Sequence, residues 1–252
     1  MAPQGRGDQG AADGERNMRT AFVSGASSDI GLALCRRYLD AGWRVIGHFR
    51  TPRAELDALR GEMLETWQCD FADTPKLERA LRDNADRFRR ADSFISLAAD
   101  VQPCRFDQAG ADVILAALGV NLLPGLLLMR EIGPAMAERG FGRIVHASSI
   151  GVKFGGGSET FAYSLSKHAQ EFIPRACRAW AERNVFVNVV RIGVTETRIH
   201  ARLPDRDFAA RTALIPARRA ATPQEVAEAL FWLGSERNGF TTGQVIAVAG
   251  GE

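Results

Sequence analysis

The sequence predicts an α/β fold, a doubly wound parallel sheet of about seven strands with helices on both faces. Three observations carry that expectation. From residue 19 onward, short apolar runs alternate with longer amphipathic stretches, as they do where crossover helices bury a parallel sheet on both sides. The first run, Thr20-Ala21-Phe22-Val23, passes through a Gly/Ser-rich turn directly into a helical stretch. A later helical stretch carries a tyrosine and a lysine four residues apart, Tyr163 and Lys167, on one face.

Taken in order, residues 1–18 are rich in Gly, Asp, Gln and Arg and contain no apolar run of the signal-peptide kind. They are expected to form a disordered tail, and residues 19–252 a single domain, since neither linker nor repeat interrupts them. Thr20 to Val23 reads as a buried strand, and Ile30 to Ala41 as a helix ended by Gly42. Trp43 to Phe49 and Met63 to Gln68 give the second and third strands. Pro75 opens a helix to about Arg89, a first-turn position where its missing N–H costs nothing. Ser93 to Ala99 is the fourth strand with its turn. A long helix is expected over Ala111–Arg139, bent near Pro124 and Pro134. Arg143 to Ala147 is the fifth strand. The Tyr163 helix should run to about Arg183 with a kink at Pro174. Val185 to Val190, a helix over Pro223–Gly234 and a strand over Gln244–Val248 complete the pattern.

Composition narrows the function. Apolar residues make up 46% of 252, enough for a sizeable core, and 32 bases against 30 acids give a net charge of +2. That balance leaves no electrostatic footprint for nucleic acid. Cys35, Cys69, Cys104 and Cys177 are far apart and match no metal-ligand spacing; they read as reduced thiols of a cytoplasmic protein. The apolar run Val113–Met129 contains Asn121 and Pro124 and is followed by Arg130 and Glu131. It reads as a buried or interface helix, with no membrane span.

Two stretches carry chemistry. In Ser24-Gly25-Ala26-Ser27-Ser28-Asp29-Ile30-Gly31, glycines let the backbone approach a pyrophosphate, and the following helix offers free N–H groups and a positive dipole end. In the second, Lys167 beside Tyr163 favours the phenolate and makes the phenol a proton donor near neutral pH. The chain has two tyrosines, Tyr38 and Tyr163, and three lysines, Lys76, Lys153 and Lys167. Chance pairing at this spacing is therefore a weak account, although an ordinary exposed helix face would show the same pair.

These features, with others in the same order, resemble the short-chain dehydrogenase/reductase family in its single-domain, Rossmann-like form. Ser24-Gly25-x3-Asp29-Ile30-Gly31 is similar to its phosphate turn, with Asp29 in place of a glycine. Asp70 follows the third strand, and Ser96-Leu97-Ala98-Ala99 stands where the family has Asn-Asn-Ala-Gly. Asn121 lies on the central helix, and Ser148-Ser149 follows Gly142-Arg143-Ile144-Val145. Tyr163 and Lys167 come next, then Ile192-Gly193-x3-Thr197 and Thr241-Thr242-Gly243-Gln244.

The resemblance implies four catalytic residues. Tyr163 would be the general acid, Lys167 would lower its pKa and bind the nicotinamide ribose, and Ser149 would polarise the substrate carbonyl. Asn121 would hold a water relaying protons to Lys167. The cofactor would lie along Gly25, Ser27, Ser28, Asp29 and Ile30, then Phe49, Arg50 and Thr51 at the end of the second strand. Asp70 and Phe71, Ala98 and Ala99, Tyr163 and Lys167, and Gly193, Val194 and Thr197 complete that set. Asp29 is expected to turn from the pyrophosphate and cap local N–H groups. His48 reads as a packed or surface residue.

The second strand ends in Gly47-His48-Phe49-Arg50-Thr51, with no acid to bind a ribose 2′-hydroxyl and with Arg50 able to pair a 2′-phosphate. NADP(H) is therefore expected over NAD(H). The substrate class is a carbonyl or alcohol, including ketones of the 3-oxoacyl thioester type; a silent dinucleotide-binding sensor is the alternative. Candidate substrate-lining residues are Ile150, Val152, Phe154, Gly155 to Gly157 and the segment Val194 to Ile215. Arg198, Arg202, Arg206 and Arg211 on that segment read as solvated surface more readily than as an anion site. The resemblance also implies a homodimer or homotetramer packed through the Val113–Met129 and Tyr163 helices.

Overall fold

In the computed structural model, which describes residues 18–199 and 207–252, the strands are β1 (Thr20–Ser24), β2 (Arg44–Phe49), β3 (Leu64–Gln68), β4 (Ser93–Ser96), β5 (Gly142–Ser149), β6 (Val185–Ile192) and β7 (Val245–Val248). All seven pair in parallel in one sheet, in the order β3-β2-β1-β4-β5-β6-β7. The order reverses between β1 and β4. At such a switch point the crossover helices leave to opposite faces and open a crevice at the carboxyl ends of the strands. Ser24 pairs with Ser96 there, so the turns after β1 and β4 start side by side.

The helices are α1 (Asp29–Asp40), α2 (Ala54–Asp57), α3 (Thr74–Asp83), α4 (Ala85–Arg89), α5 (Ala111–Asn121), α6 (Leu123–Arg139), α7 (Phe161–Ala169), α8 (Arg175–Ala179), α9 (Phe208–Ala213) and α10 (Pro223–Leu233). Strand alternation sorts the core into two layers. Ala21, Val23 and Val145 pack with Leu34 and Tyr38 of α1 and with Leu230 and Phe231 of α10. Phe22, Phe94 and Ile144 pack on the other face against Phe88 of α4 and Leu128, Ile132 and Met136 of α6. Each fully buried side chain of this size contributes about 2 kcal/mol.

The strand expectations hold to within a residue or two; the helices differ at particular residues. The stretch after Pro75 divides at Asn84. The apolar stretch over 111–139 is two helices that break at Leu122. Pro124 cannot donate to residue 120 and its ring crowds that carbonyl, so it sits in the first turn of α6. Pro134 stays inside α6 without ending it. The Tyr163 helix is not kinked at Pro174; it stops at Ala169, and Pro174 becomes the extended residue (ψ 142°) that starts α8. A proline disfavours helical backbone at the residue before it, which moves the stop several residues ahead of Pro174 itself. Of the expected tail over residues 1–18, residues 1–17 lie outside the described residues, as do Arg202 and Arg206.

Candidate active site

The turn between β1 and α1 is folded tightly. Gly25 has φ +73°, and a Cβ there would lie 2.9 Å from the Ala98 Cα; a Cβ on Gly31 would lie 2.2 Å from the Gly25 carbonyl oxygen. Only glycine fits either place. The Ser28 hydroxyl caps α1, accepting from the Gly31 N–H at 3.0 Å. The Ser24 hydroxyl accepts from the N–H groups of Leu97 and Ala98 at 3.0 and 3.1 Å, tying the turn after β4 to the end of β1. The first N–H groups of α1 have no helical acceptor and face the crevice, so the turn fits the pyrophosphate of a dinucleotide.

His48 on β2 holds this turn from below. Its Nδ1 accepts the Gly25 N–H at 3.2 Å, its Nε2 lies 2.9 Å from the Cys69 carbonyl, and its ring stacks on Phe71 at 3.8 Å. Accepting at one nitrogen and donating at the other requires neutral imidazole with its proton on Nε2. Burial pushes its pKa down to about 4. Sequence reasoning reached the packing and missed the contact, because 23 residues separate the partners and no local pattern links them.

Asp29 does not cap local N–H groups; Ser28 does that. The Asp29 carboxylate is 2.9 Å from Arg53 Nη1 and accepts the Arg198 backbone N–H at 2.9 Å. Burial raises its carboxyl, and the hydrogen bonds from Arg198 and Arg53 outweigh that and hold it below the usual range. The phosphate turn is thus tied to the segments after β2 and after β6.

α7 presents Tyr163 and Lys167 to the same crevice, with Lys167 Nζ 5.8 Å from the centre of the Tyr163 ring. Lys167 is 2% exposed, and its ammonium donates to the Ala147 carbonyl at 2.6 Å and to Gln170 Oε1 at 3.0 Å. Burial lowers its pKa to about 7. At the end of β5, Ser149 Oγ accepts from the Gly151 N–H at 3.3 Å and faces the crevice. Ser148 is committed elsewhere: its hydroxyl lies 3.0 Å from the Lys167 carbonyl and 2.8 Å from Glu171 Oε1. Glu171 in turn forms a two-point ion pair with Arg191 at 2.7 Å for each bond.

Asn121, the last residue of α5, lies behind the crevice wall. Its side chain accepts from the Asp100 N–H at 2.7 Å and donates to the Asp100 carbonyl and to Ser166 Oγ at 3.0 and 2.9 Å. Its carbonyl receives a hydrogen bond from Gln170 Nε2. The place where the resemblance implies a relay water, between Asn121 and Lys167, is therefore spanned by the Gln170 carboxamide.

These residues line one cleft of about 530 Å³. It contains Gly25, Ser27, Ser28, Asp29 and Ile30, then Arg50, Thr51, Asp70, Phe71, Ala98 and Ala99, and at the other end Ser149, Tyr163, Lys167, Gly193, Val194 and Thr197. Two expected residues are not on its wall. Phe49 is 5% exposed and packs into the core, because alternation along β2 turns it to the α1 face. Asn121 is the other. Of the expected substrate side, Ile150, Gly157, Val194 and Thr195 line the cleft, while Phe154 is exposed on the turn after β5. Arg198 and Arg211, expected as solvated surface, both line the cleft and are paired, Arg198 with Asp29 and Arg211 with Glu252 at 2.6 Å. Arg50 reaches across the cofactor end to within 3.7 Å of Asp100.

A family profile described as "Enoyl-(Acyl carrier protein) reductase" matches residues 25–252. The chain is 32% identical over 248 residues to Nodulation protein G of a Rhizobium species, covering 92% of this chain and 96% of that protein. Among solved structures it is similar to one assigned as an NAD(P)-dependent gluconate 5-dehydrogenase from Beutenbergia cavernae, with NADP bound at low occupancy. That similarity has a TM-score of 0.82 and 34% identity over 92% of this chain and 95% of the other. It is also similar to a 3-oxoacyl (acyl-carrier-protein) reductase from Agrobacterium tumefaciens with NADP bound, at TM-score 0.80 and 27% identity over 93% and 94%. Family profile, relatives and sheet order agree with the turn, serine, tyrosine and lysine assembled in the cleft: the chain belongs to the short-chain dehydrogenase/reductase family.

Proposed function

We propose that residues 19–252 form one catalytic unit, an NADPH-dependent reductase of ketones, with 3-oxoacyl thioesters the first substrate class to test. The observation that carries this reading is the burial of Lys167 beside Tyr163 in the cleft that begins at the phosphate turn. NADPH, when bound, supplies a hydride to the carbonyl carbon. The chain's own groups handle the oxygen. Ser149 Oγ and the Tyr163 hydroxyl would hold it by hydrogen bonds, and Tyr163 would give it a proton. The Lys167 ammonium stabilises the phenolate left behind. The reading is tested by following NADPH and NADH oxidation with ketones, 3-oxoacyl thioesters and 2-oxo or 5-oxo sugar acids. Absence of turnover with all of them, together with tight dinucleotide binding, would favour a sensor.

Cofactor choice is proposed to rest on Arg50, since β2 ends without an acid and a 2′-phosphate would draw the guanidinium from its loose pairing with Asp100. Arg50→Ala is expected to raise the KM for NADPH about tenfold, the value of one charge-assisted hydrogen bond, and to leave the KM for NADH within twofold. Equal loss for both cofactors would remove Arg50 from the discrimination.

A homodimer or homotetramer is proposed on α5 and α7. The helix pair over 111–139 is apolar enough to cross a membrane by length and composition, and one third of its most apolar window is buried. In α5 the one buried residue is Asn121, while Leu115 is 66% exposed. α5 packs on α7, where Leu165 is also exposed, so the two helices make one apolar surface suited to a second copy. Light scattering at micromolar concentration should report a dimer or tetramer, and Leu115→Glu should shift it to monomer. A monomeric wild type would remove the proposal. The four cysteines are buried free thiols, which suits a reducing, cytoplasmic location.

A further inference from the structure

Gln170 stands three residues after Lys167, at the residue where α7 ends. It is 3% exposed, Lys167 is 2% exposed and Asn121 is 1% exposed, so the three meet away from solvent. Gln170 Nε2 donates to the Asn121 carbonyl, and this fixes which end of the carboxamide faces Lys167: Oε1 must. The ammonium is left with two oriented acceptors, Gln170 Oε1 and the Ala147 carbonyl, which aim its remaining N–H towards the cleft.

We infer that Gln170 is a positioning residue for the Tyr163–Lys167 pair, a fixed acceptor that holds the lysine ammonium in charged form beside the phenol. The inference rests on the proton-transfer role proposed for that pair. A water in the same place could accept from the ammonium and also pass a proton along; a carboxamide accepts and has no proton to pass. The proton that Tyr163 gives up is thus replaced from the open side of the cleft. The other charged or titratable groups around Lys167 are few. His146 on β5 is buried and neutral at pH 7, its pKa pushed down to about 4 by burial and by the Lys167 charge. The Glu171 carboxylate is engaged by Ser148 and by Arg191 of β6.

The chain allows a direct measurement on the free protein. It has two tyrosines, and burial pushes the Tyr38 phenol far up. The near-ultraviolet phenolate signal at lower pH therefore reports Tyr163. Gln170→Met keeps the side-chain length and removes the acceptor. The ammonium becomes harder to keep charged, and the Tyr163 phenolate should form at a pH about one unit higher, roughly tenfold less phenolate at a given pH. The pH limb of kcat should move the same way, with the KM for NADPH within twofold. Gln170→Ser leaves room for a water to bridge the same atoms, and its midpoint should fall between the two; it also supplies the comparison if Gln170→Met does not fold. Wild-type, Met and Ser proteins titrating together would overturn the inference. Tyr163→Phe separates the two readings. If it keeps turnover, the proton-transfer role fails; if it loses turnover while the Gln170 variants titrate as wild type, only the role of Gln170 fails.

Discussion

Tyr163→Phe is expected to lower the turnover of any carbonyl substrate by about 10²- to 10⁴-fold, the usual worth of a positioned general acid, while dinucleotide affinity changes by less than about threefold. The substitution removes one oxygen and leaves the ring against the Lys167 ammonium, 5.8 Å from its centre. The Ser149 hydroxyl is a far weaker acid than a phenol, and Ser148 is bonded to the Lys167 carbonyl and Glu171. The Lys167 ammonium, which donates to Ala147 and Gln170, is the one competing proton source among the described residues lining the cleft. Steady-state kinetics with NADPH, together with calorimetric titration of the dinucleotide, separates the two effects. A tenfold or smaller loss of kcat would mean that another group supplies the proton.

Stability should fall steeply as pH drops from about 6.5 to 4, through two histidines. Burial lowers both His48 and His146 to about 4, against about 6.5 in an unfolded chain. In that window the unfolded chain binds protons that the folded one refuses, so acid favours unfolding. Stability from these groups is complete above pH 6.5 and is lost progressively below it, by about 3 kcal/mol for each histidine at 1.36 kcal/mol per unit. Denaturant midpoints at closely spaced pH values check this. Between pH 6.5 and 5 the surface carboxylates stay largely ionised and the histidines dominate the slope. A flat midpoint across that half of the window would contradict the assignment. Because folded His48 stays neutral until about pH 4 and accepts the Gly25 N–H in that form, dinucleotide affinity of the folded protein should hold through this window and weaken only as pH approaches 4.

The sheet was legible because its strands are short apolar runs, and the phosphate turn because glycine, serine and a helix start follow β1 within eight residues. Ser149, Tyr163 and Lys167 could be read from local spacing, and the structure puts them in one cleft with Gly25 and Gly193. What escaped depends on partners distant in sequence. Gln170 is an unremarked polar residue until the carbonyl of Asn121 is brought to it from 49 positions away. His48 and Asp29 acquire roles only when Gly25, Arg53 and Arg198 are beside them. Phe49 and Arg50 are neighbours in sequence, yet Phe49 is the last residue of β2 and enters the core, while Arg50 lies just past the strand end, where the cleft opens. The proline at 174 announced an interruption, but as a kink; the helix instead ends at Ala169, and Pro174 begins the next one.

The histidine under the phosphate turn joins two properties that protein engineers treat as separate. His48, which carries the Gly25 N–H, is two positions from Arg50, proposed to select the ribose. Any redesign of the end of β2 toward the other cofactor acts on the same few peptide units that brace the pyrophosphate grip. Cofactor preference and cofactor affinity are mechanically linked in this chain, and a library randomised over residues 49–51 should yield switched variants that bind both dinucleotides weakly unless Gly25 keeps its support.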